Sequence, residues 1–148
     1  METIFFRNAD KTFLFPNKTG LKHFIELLFK KEKKGLMELT YVFCSDDYLL
    51  DINKNFLQHD YYTDIITFDL SENLKQTIGE IYVSLDRIKD NAKTLETSIK
   101  DETLRVIFHG ALHLCGYKDK SKSDITTMRK KEELYISMYK AGVGKDKR

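Results

Sequence analysis

Residues 104–119 read Leu104-Arg105-Val106-Ile107-Phe108-His109-Gly110-Ala111-Leu112-His113-Leu114-Cys115-Gly116-Tyr117-Lys118-Asp119. Leu104, Phe108, Ala111, Leu112 and Cys115 recur at helical spacing and make one apolar stripe that must face a core. His109 and His113 lie beside that stripe, one turn apart, so both imidazoles leave the same face with Cβ atoms roughly 6 Å apart. That separation lets two nitrogens reach a single ion at about 2.0–2.1 Å each. Gly116 can adopt the left-handed conformation that ends the helix and turns the chain back. Asp119 then delivers a carboxylate. Two histidines at this spacing are, alone, more often a polar surface pair than a metal site. The glycine and carboxylate that follow turn the pattern into His109, His113 and Asp119, three ligands that leave a zinc-like ion an open position for water. Cys115 points about 200° around the helix from the direction of His113, so it reads as an apolar thiol and not as a ligand.

Working outward, Ser98 with Asp101 three residues on offers a loose capping box for this helix, expected over Ser98 to Cys115. Upstream, the pattern predicts a helix over Ser84 to Leu95 and strands over Leu36 to Cys44, Thr63 to Phe68 and Ile78 to Val83. A polar loop, Asp69 to Thr77, separates the last two strands. Ser45-Asp46-Asp47 supplies cap residues for a helix to about Leu57. A further helix from near Thr19 buries Leu21, Phe24, Ile25 and Leu28. It runs into Lys30-Lys31-Glu32-Lys33-Lys34, a solvated last turn in which Gly35 is expected as the left-handed cap. Downstream, Ser121 and Asp124 repeat the capping device before a last helix carrying Ile125, Met128, Leu134, Tyr135 and Met138. Helices and strands in this order give an α+β or α/β fold with one sheet.

Length and composition allow this. A chain of 148 residues with 41% apolar residues buries a core without staples, as one domain over 1–148. Seven Gly, one Pro and 32% charged residues exclude collagen-like and disordered classes. Lys and Arg outnumber Asp and Glu by 25 to 23, too near balance to announce a polyanionic partner. Cys44 and Cys115 do not make a disulfide framework, no apolar run approaches the roughly 20 residues of a membrane span, and Met1 to Phe6 lacks a secretory pattern. A reducing cytoplasm is the expected home.

The residue after the first histidine bears on the chemistry. Zinc peptidases of the His-Glu-x-x-His type keep their general base there, and this chain has Gly110. An ion that polarises a phosphoryl oxygen and activates water suits phosphodiester cleavage instead.

The run His109 to Asp119 closely resembles the signature H-G-x-L-H-L-x-G-Y-D-H of the YbeY family of rRNA maturation factors, described as metal-dependent endoribonucleases. Ile52-Asn53 followed by Thr63-Asp64-Ile65-Ile66-Thr67-Phe68 is similar to the family's L-N…T-[DN]-V-L-S-F, and Gly79-Glu80-Ile81 to its G-D-I. The resemblance implies a zincin-like α+β fold, with a mixed sheet of about four strands and the ligand helix packed beside it. It implies one zinc ion per chain and hydrolysis of single-stranded RNA in 16S rRNA 3′-end maturation and ribosome biogenesis. The implied partners are rRNA precursors and the small subunit or its assembly factors, with neither membrane nor DNA. Two positions depart from the pattern: the third family histidine falls on Asp119, and an arginine thought to contact phosphate falls on Leu57. The phosphate contact is then expected from His59, Lys54 or Lys118. Asp64 and Thr67 sit on the strand that the family places across the cleft, and Tyr61, Tyr62 and Tyr117 are the aromatics near the matched motifs. His59, Asp64, Thr67 and Tyr117 are therefore the substrate-binding candidates. No protein side chain is assigned as catalytic. The competing functions are a non-catalytic RNA-binding assembly factor with a structural metal and, with Gly110 against it, a peptidase-type hydrolase.

Overall fold

The computed structural model describes residues 2–142. Its centre is a pair of parallel strands, β2 (Leu36–Cys44) and β4 (Thr77–Ser84), whose side chains alternate between the two faces of the sheet. Leu39, Tyr41 and Phe43 of β2 join Ile81 and Val83 of β4 in the larger core, while Cys44 and Tyr82 point to the opposite face. A short strand, β1 (Ile4–Asn8), pairs parallel to β2, and β3 (Ile65–Asp69) pairs antiparallel to β4, giving the order β1-β2-β4-β3. This is the mixed four-stranded sheet of an α+β fold. β1 has no counterpart in the three strands read from the residues. Its five positions form half of a parallel ladder, and little in so short a segment separates a paired strand from an extended leader.

Among the described residues five helices cover the sheet: α1 (Lys18–Lys31), α2 (Asp46–Leu57), α3 (Leu85–Thr94), α4 (Ile99–Leu114) and α5 (Lys122–Lys140). Ser45, Ser84, Ser98 and Ser121 cap α2 to α5, each hydroxyl accepting a hydrogen bond from a backbone N–H three residues on. The capping box is complete only at Ser121 and Asp124. At α4 only half of it closes, because the Asp101 carboxylate takes Lys140 Nζ at 2.7 Å instead. Leu21, Phe24, Ile25 and Leu28 of α1 are fully buried as their spacing requires. The left-handed residue beyond α1 is Lys33, at φ 57°, and not Gly35. Gly35 serves a close approach: a Cβ there would stand 2.0 Å from the carbonyl oxygen of Lys75, and its own carbonyl accepts Thr77 N–H at 2.9 Å. On α5, Met128 and Tyr135 are buried, whereas Ile125 and Leu134 are exposed; Glu132 and Tyr139 complete the buried stripe.

The placement of α4 matters most for function. Leu104, Phe108, Ala111 and Leu112 are wholly buried. A Cβ on Gly110 would meet Ile81 Cδ1 at 2.8 Å and Ile65 Cδ1 at 2.9 Å, so Gly110 lets the helix lie directly on β3 and β4. Cys115 is half-buried against the core, and burial pushes its thiol up to about 12, as it does for Cys44. Neither thiol ionises at neutral pH. No helix among the described residues is long and apolar enough to cross a membrane.

A candidate metal centre in an acidic cleft

With Gly110 against the sheet, the face of α4 carrying His109 and His113 looks into a cleft between the helix, the start of β3 and the loop after α2. The cleft has a volume of about 560 Å³, within the range of sites for small ligands. Gly116, at φ 109°, turns the chain back so that Asp119 comes to lie opposite the two imidazoles. One donor atom from each of His109, His113 and Asp119 lies within 4.8 Å of the others. His109 Nε2 is 3.2 Å from Asp119 Oδ2, and His113 Nε2 is 3.6 Å from Asp119 Oδ1. In a tetrahedral site with bonds of about 2.0–2.2 Å, neighbouring ligand atoms stand about 3.4 Å apart. Both histidines stand near that separation from an Asp119 oxygen.

His109 supplies a second test of fit. Its Nδ1 is 2.6 Å from Glu132 Oε2, and an ionised carboxylate only accepts, so Nδ1 carries the hydrogen and donates it. Nε2 then faces the Asp119 carboxylate, 3.2 Å away. A divalent cation bound there would sit between the two, and a buried carboxylate behind the imidazole is the usual arrangement for fixing a ligand histidine.

Glu132 belongs to a chain of charges behind the ion site. It is 2% exposed, and its Oε1, which has no hydrogen bond, lies 3.6 Å from Arg105 Nη1. Arg105 donates from Nε to Glu102 Oε1 at 3.0 Å and from Nη2 to Glu102 Oε2, and lies 3.5 Å from Asp64 Oδ2. Hydrogen bonding to Glu102 and the surrounding carboxylates hold the guanidinium firmly protonated. Asp64 also accepts from Asn91 Nδ2 at 3.3 Å. Burial pushes its carboxyl above the ordinary value, with Arg105 pulling it back. Arg105, Glu102 and Glu132 did not emerge from motif spacing. Glu132 lies on a separate helix, and Arg105 precedes His109 by one turn, where an arginine reads as a solvated side chain.

The cleft sorts the other candidates. His59, Asp64, Thr67 and Leu57 line it, as does Tyr61. Tyr117 does not: its hydroxyl donates to Glu32 at 2.7 Å, and Lys131 Nζ sits 5.6 Å from its ring centroid. Tyr135 and Lys131 of α5 also donate to Glu32, so the Tyr117 hydrogen bond ties the loop that presents Asp119 to a carboxylate already shared between the end of α1 and α5. Burial raises the Glu32 carboxyl, but these hydrogen bonds outweigh it and hold it below its ordinary value. Tyr62 hydrogen-bonds Asp47 at 3.4 Å and lies under the Arg87 guanidinium. Lys54 pairs with Asp60 at 3.5 Å, and neither Lys54 nor Lys118 lines the cleft.

An α+β fold whose buried helix offers two imidazoles and whose next turn offers a carboxylate, all opening on one cleft, defines a class of proteins built to hold a divalent cation beside a substrate. The particular family follows from comparison. A family model described as Endoribonuclease YbeY matches residues 5–140, and the chain belongs to that family. It is 48% identical to the Endoribonuclease YbeY of Cytophaga hutchinsonii over 139 residues, 94% of this chain and 97% of the relative. It is 41% identical to that of Flavobacterium johnsoniae over 132 residues, 89% and 94% of the two chains. The solution structure of TM1509 from Thermotoga maritima superposes with a TM-score of 0.61 at 26% identity, covering 97% of this chain and 96% of that one.

Proposed function

We propose that this chain is a zinc-dependent endoribonuclease that cuts single-stranded rRNA precursors in the cytoplasm, acting in 16S rRNA 3′-end maturation with the small ribosomal subunit or its assembly factors. The observation that carries the reading is the convergence of His109, His113 and Asp119 within 4.8 Å on the wall of a cleft in a member of this family. Two imidazoles and one carboxylate suit zinc, with manganese as the harder competitor. When bound there, such an ion supplies Lewis acidity toward a phosphoryl oxygen and activates water near neutral pH.

The chain's own residues do the rest. Glu132 fixes the tautomer and ring orientation of His109, and the Glu32 clamp on Tyr117 fixes the loop that carries Asp119. The Thr67 hydroxyl and the His59 imidazole stand on the cleft wall as donors to the phosphate or the ribose. Arg105 does not replace the arginine missing at Leu57, because its guanidinium is shared among Glu102, Glu132 and Asp64. A base at position 110, as in peptidases, has no room, since that position faces Ile81 and Ile65.

Purified protein loaded with zinc or manganese should cut single-stranded RNA, and His113→Ala should remove the activity by at least two orders of magnitude. Intact RNA in both reactions refutes catalysis, and binding without products would then support an assembly role. Release of peptides from a protein substrate would support the peptidase alternative.

A further inference from the structure

We propose that His59 and Tyr61 form a stacking step for one nucleobase of the bound RNA at the mouth of the cleft; this rests on the ribonuclease reading above. The two rings lie 5.1 Å apart with planes 19° from parallel, and the Tyr61 hydroxyl is 2.9 Å from His59 Nδ1. Both line the cleft that holds the ion ligands. Neither joins either apolar core, and Tyr61 is 56% exposed, so the pair contributes little to folding.

What makes the pair a built feature is its anchor. Asn53, 1% exposed, donates from Nδ2 to the Tyr61 carbonyl at 2.9 Å and accepts the His59 N–H on its own carbonyl at 3.0 Å. Asn53 therefore holds the backbone at both ends of the step, one end through its buried side chain and the other through its main-chain carbonyl, and part of the ordering cost is met before any ligand arrives. Tyr62 and Tyr117 show the contrast, since their hydroxyls and rings are taken up by Asp47, Arg87, Glu32 and Lys131.

The charge of the cleft adds an independent reason. Its lining includes Asp64, Asp69 and Asp119, and Arg105, the one arginine among the described residues that line it, is shared among carboxylates. Among the described residues no lysine lines it, so these residues do not offer the strand the usual row of phosphate contacts. A π face recognises any base and needs no charge, which makes aromatic stacking the interaction this cleft can offer to a single strand.

The test compares wild type, Tyr61→Leu and Tyr61→Phe on one oligoribonucleotide carrying a single abasic residue moved along its length. Leucine keeps the bulk and removes the π face. Tyr61→Leu should raise KM roughly 5- to 150-fold with kcat nearly unchanged, and Tyr61→Phe should stay close to wild type. In the wild type, one abasic position should reproduce the KM increase, and combining it with Tyr61→Leu should cost no more than either alone. Losses that multiply, or a fall in kcat with KM unchanged, overturn the step. Thermal midpoints confirm that each variant is folded. If the wild type cuts no RNA, the functional reading has failed; fluorescence anisotropy with the same abasic series then decides the step on binding alone.

Discussion

His109 uses its two nitrogens differently, and the difference comes from Glu132. Without that carboxylate the ring is free to turn and to choose the other tautomer. Glu132→Ala should therefore weaken zinc binding about 10- to 100-fold, read by competition with a chromogenic chelator. Glu132→Gln keeps an acceptor and should lose less. Nothing in the sequence pointed to Glu132, because the pairing spans 23 positions and two helices, whereas His109, His113, Gly116 and Asp119 fall within one turn and its exit and were legible from spacing. Asp64 carries a pH signature. Its carboxyl is raised in the fold by burial, so the folded state holds the proton more tightly than the unfolded chain does. Ionising it opposes folding: in metal-free protein this cost is absent below the ordinary value of 3.8, grows as pH rises through the folded value, and then stays constant. Asp64→Asn should thus melt above the wild type at pH 7 and converge with it near pH 3.5. A lower melting temperature at pH 7 would show that its ion pair with Arg105 outweighs burial.

At the scale of elements, the ligand helix is positioned from both sides. Underneath, Gly110 lets α4 rest on Ile81 and Ile65. Gly110→Ala trades a crowded contact with the ends of two isoleucines against about 1 kcal/mol of helix propensity, so its melting temperature should change little. Gly110→Glu, which restores the peptidase pattern, places an unpaired charge against the sheet and should yield no soluble folded protein, because that burial costs several kcal/mol. At the far end, the Glu32 clamp sets the exit loop. Tyr117→Phe removes one hydrogen bond to a carboxylate, worth about 1.5–3 kcal/mol, and should weaken zinc binding as well, since Asp119 lies two residues on. Differential scanning calorimetry with and without zinc separates the two effects. Cap serines and apolar periodicity made α1 to α5 legible. The exchange of roles between Gly35 and Lys33 was not, because a glycine after a lysine run fits both a helix cap and a close approach to a loop 40 residues away. β1 escaped for a related reason: its pairing partner, β2, is separated from it by the whole of α1.

The whole molecule carries a net charge of only +2, and the cleft is locally acidic. These two facts set how it should meet RNA. A protein that neutralises Z phosphates of a single strand shows a salt slope of about −0.7Z, and basic binders reach steep values through many lysines and arginines. Here Arg105 is committed to carboxylates and Lys54 to Asp60, so few side-chain cations are free to contact phosphate near the site. An ion held by His109, His113 and Asp119 would then be the main positive charge facing the strand among the described residues. With zinc bound, the slope of log K against log salt should be shallow, roughly −1 to −2. With EDTA the acidic lining is uncompensated, and affinity for a short single strand should fall at least tenfold, even where cleavage plays no part in the signal. Zinc at 100 times its dissociation constant should also stabilise the fold by about 2.7 kcal/mol, with the melting temperature still rising after the zinc-dependent gain in RNA affinity has saturated. A steep salt slope that survives EDTA would place RNA binding on a surface outside the cleft, on the lysine run at the end of α1, and would separate binding from the site that cuts.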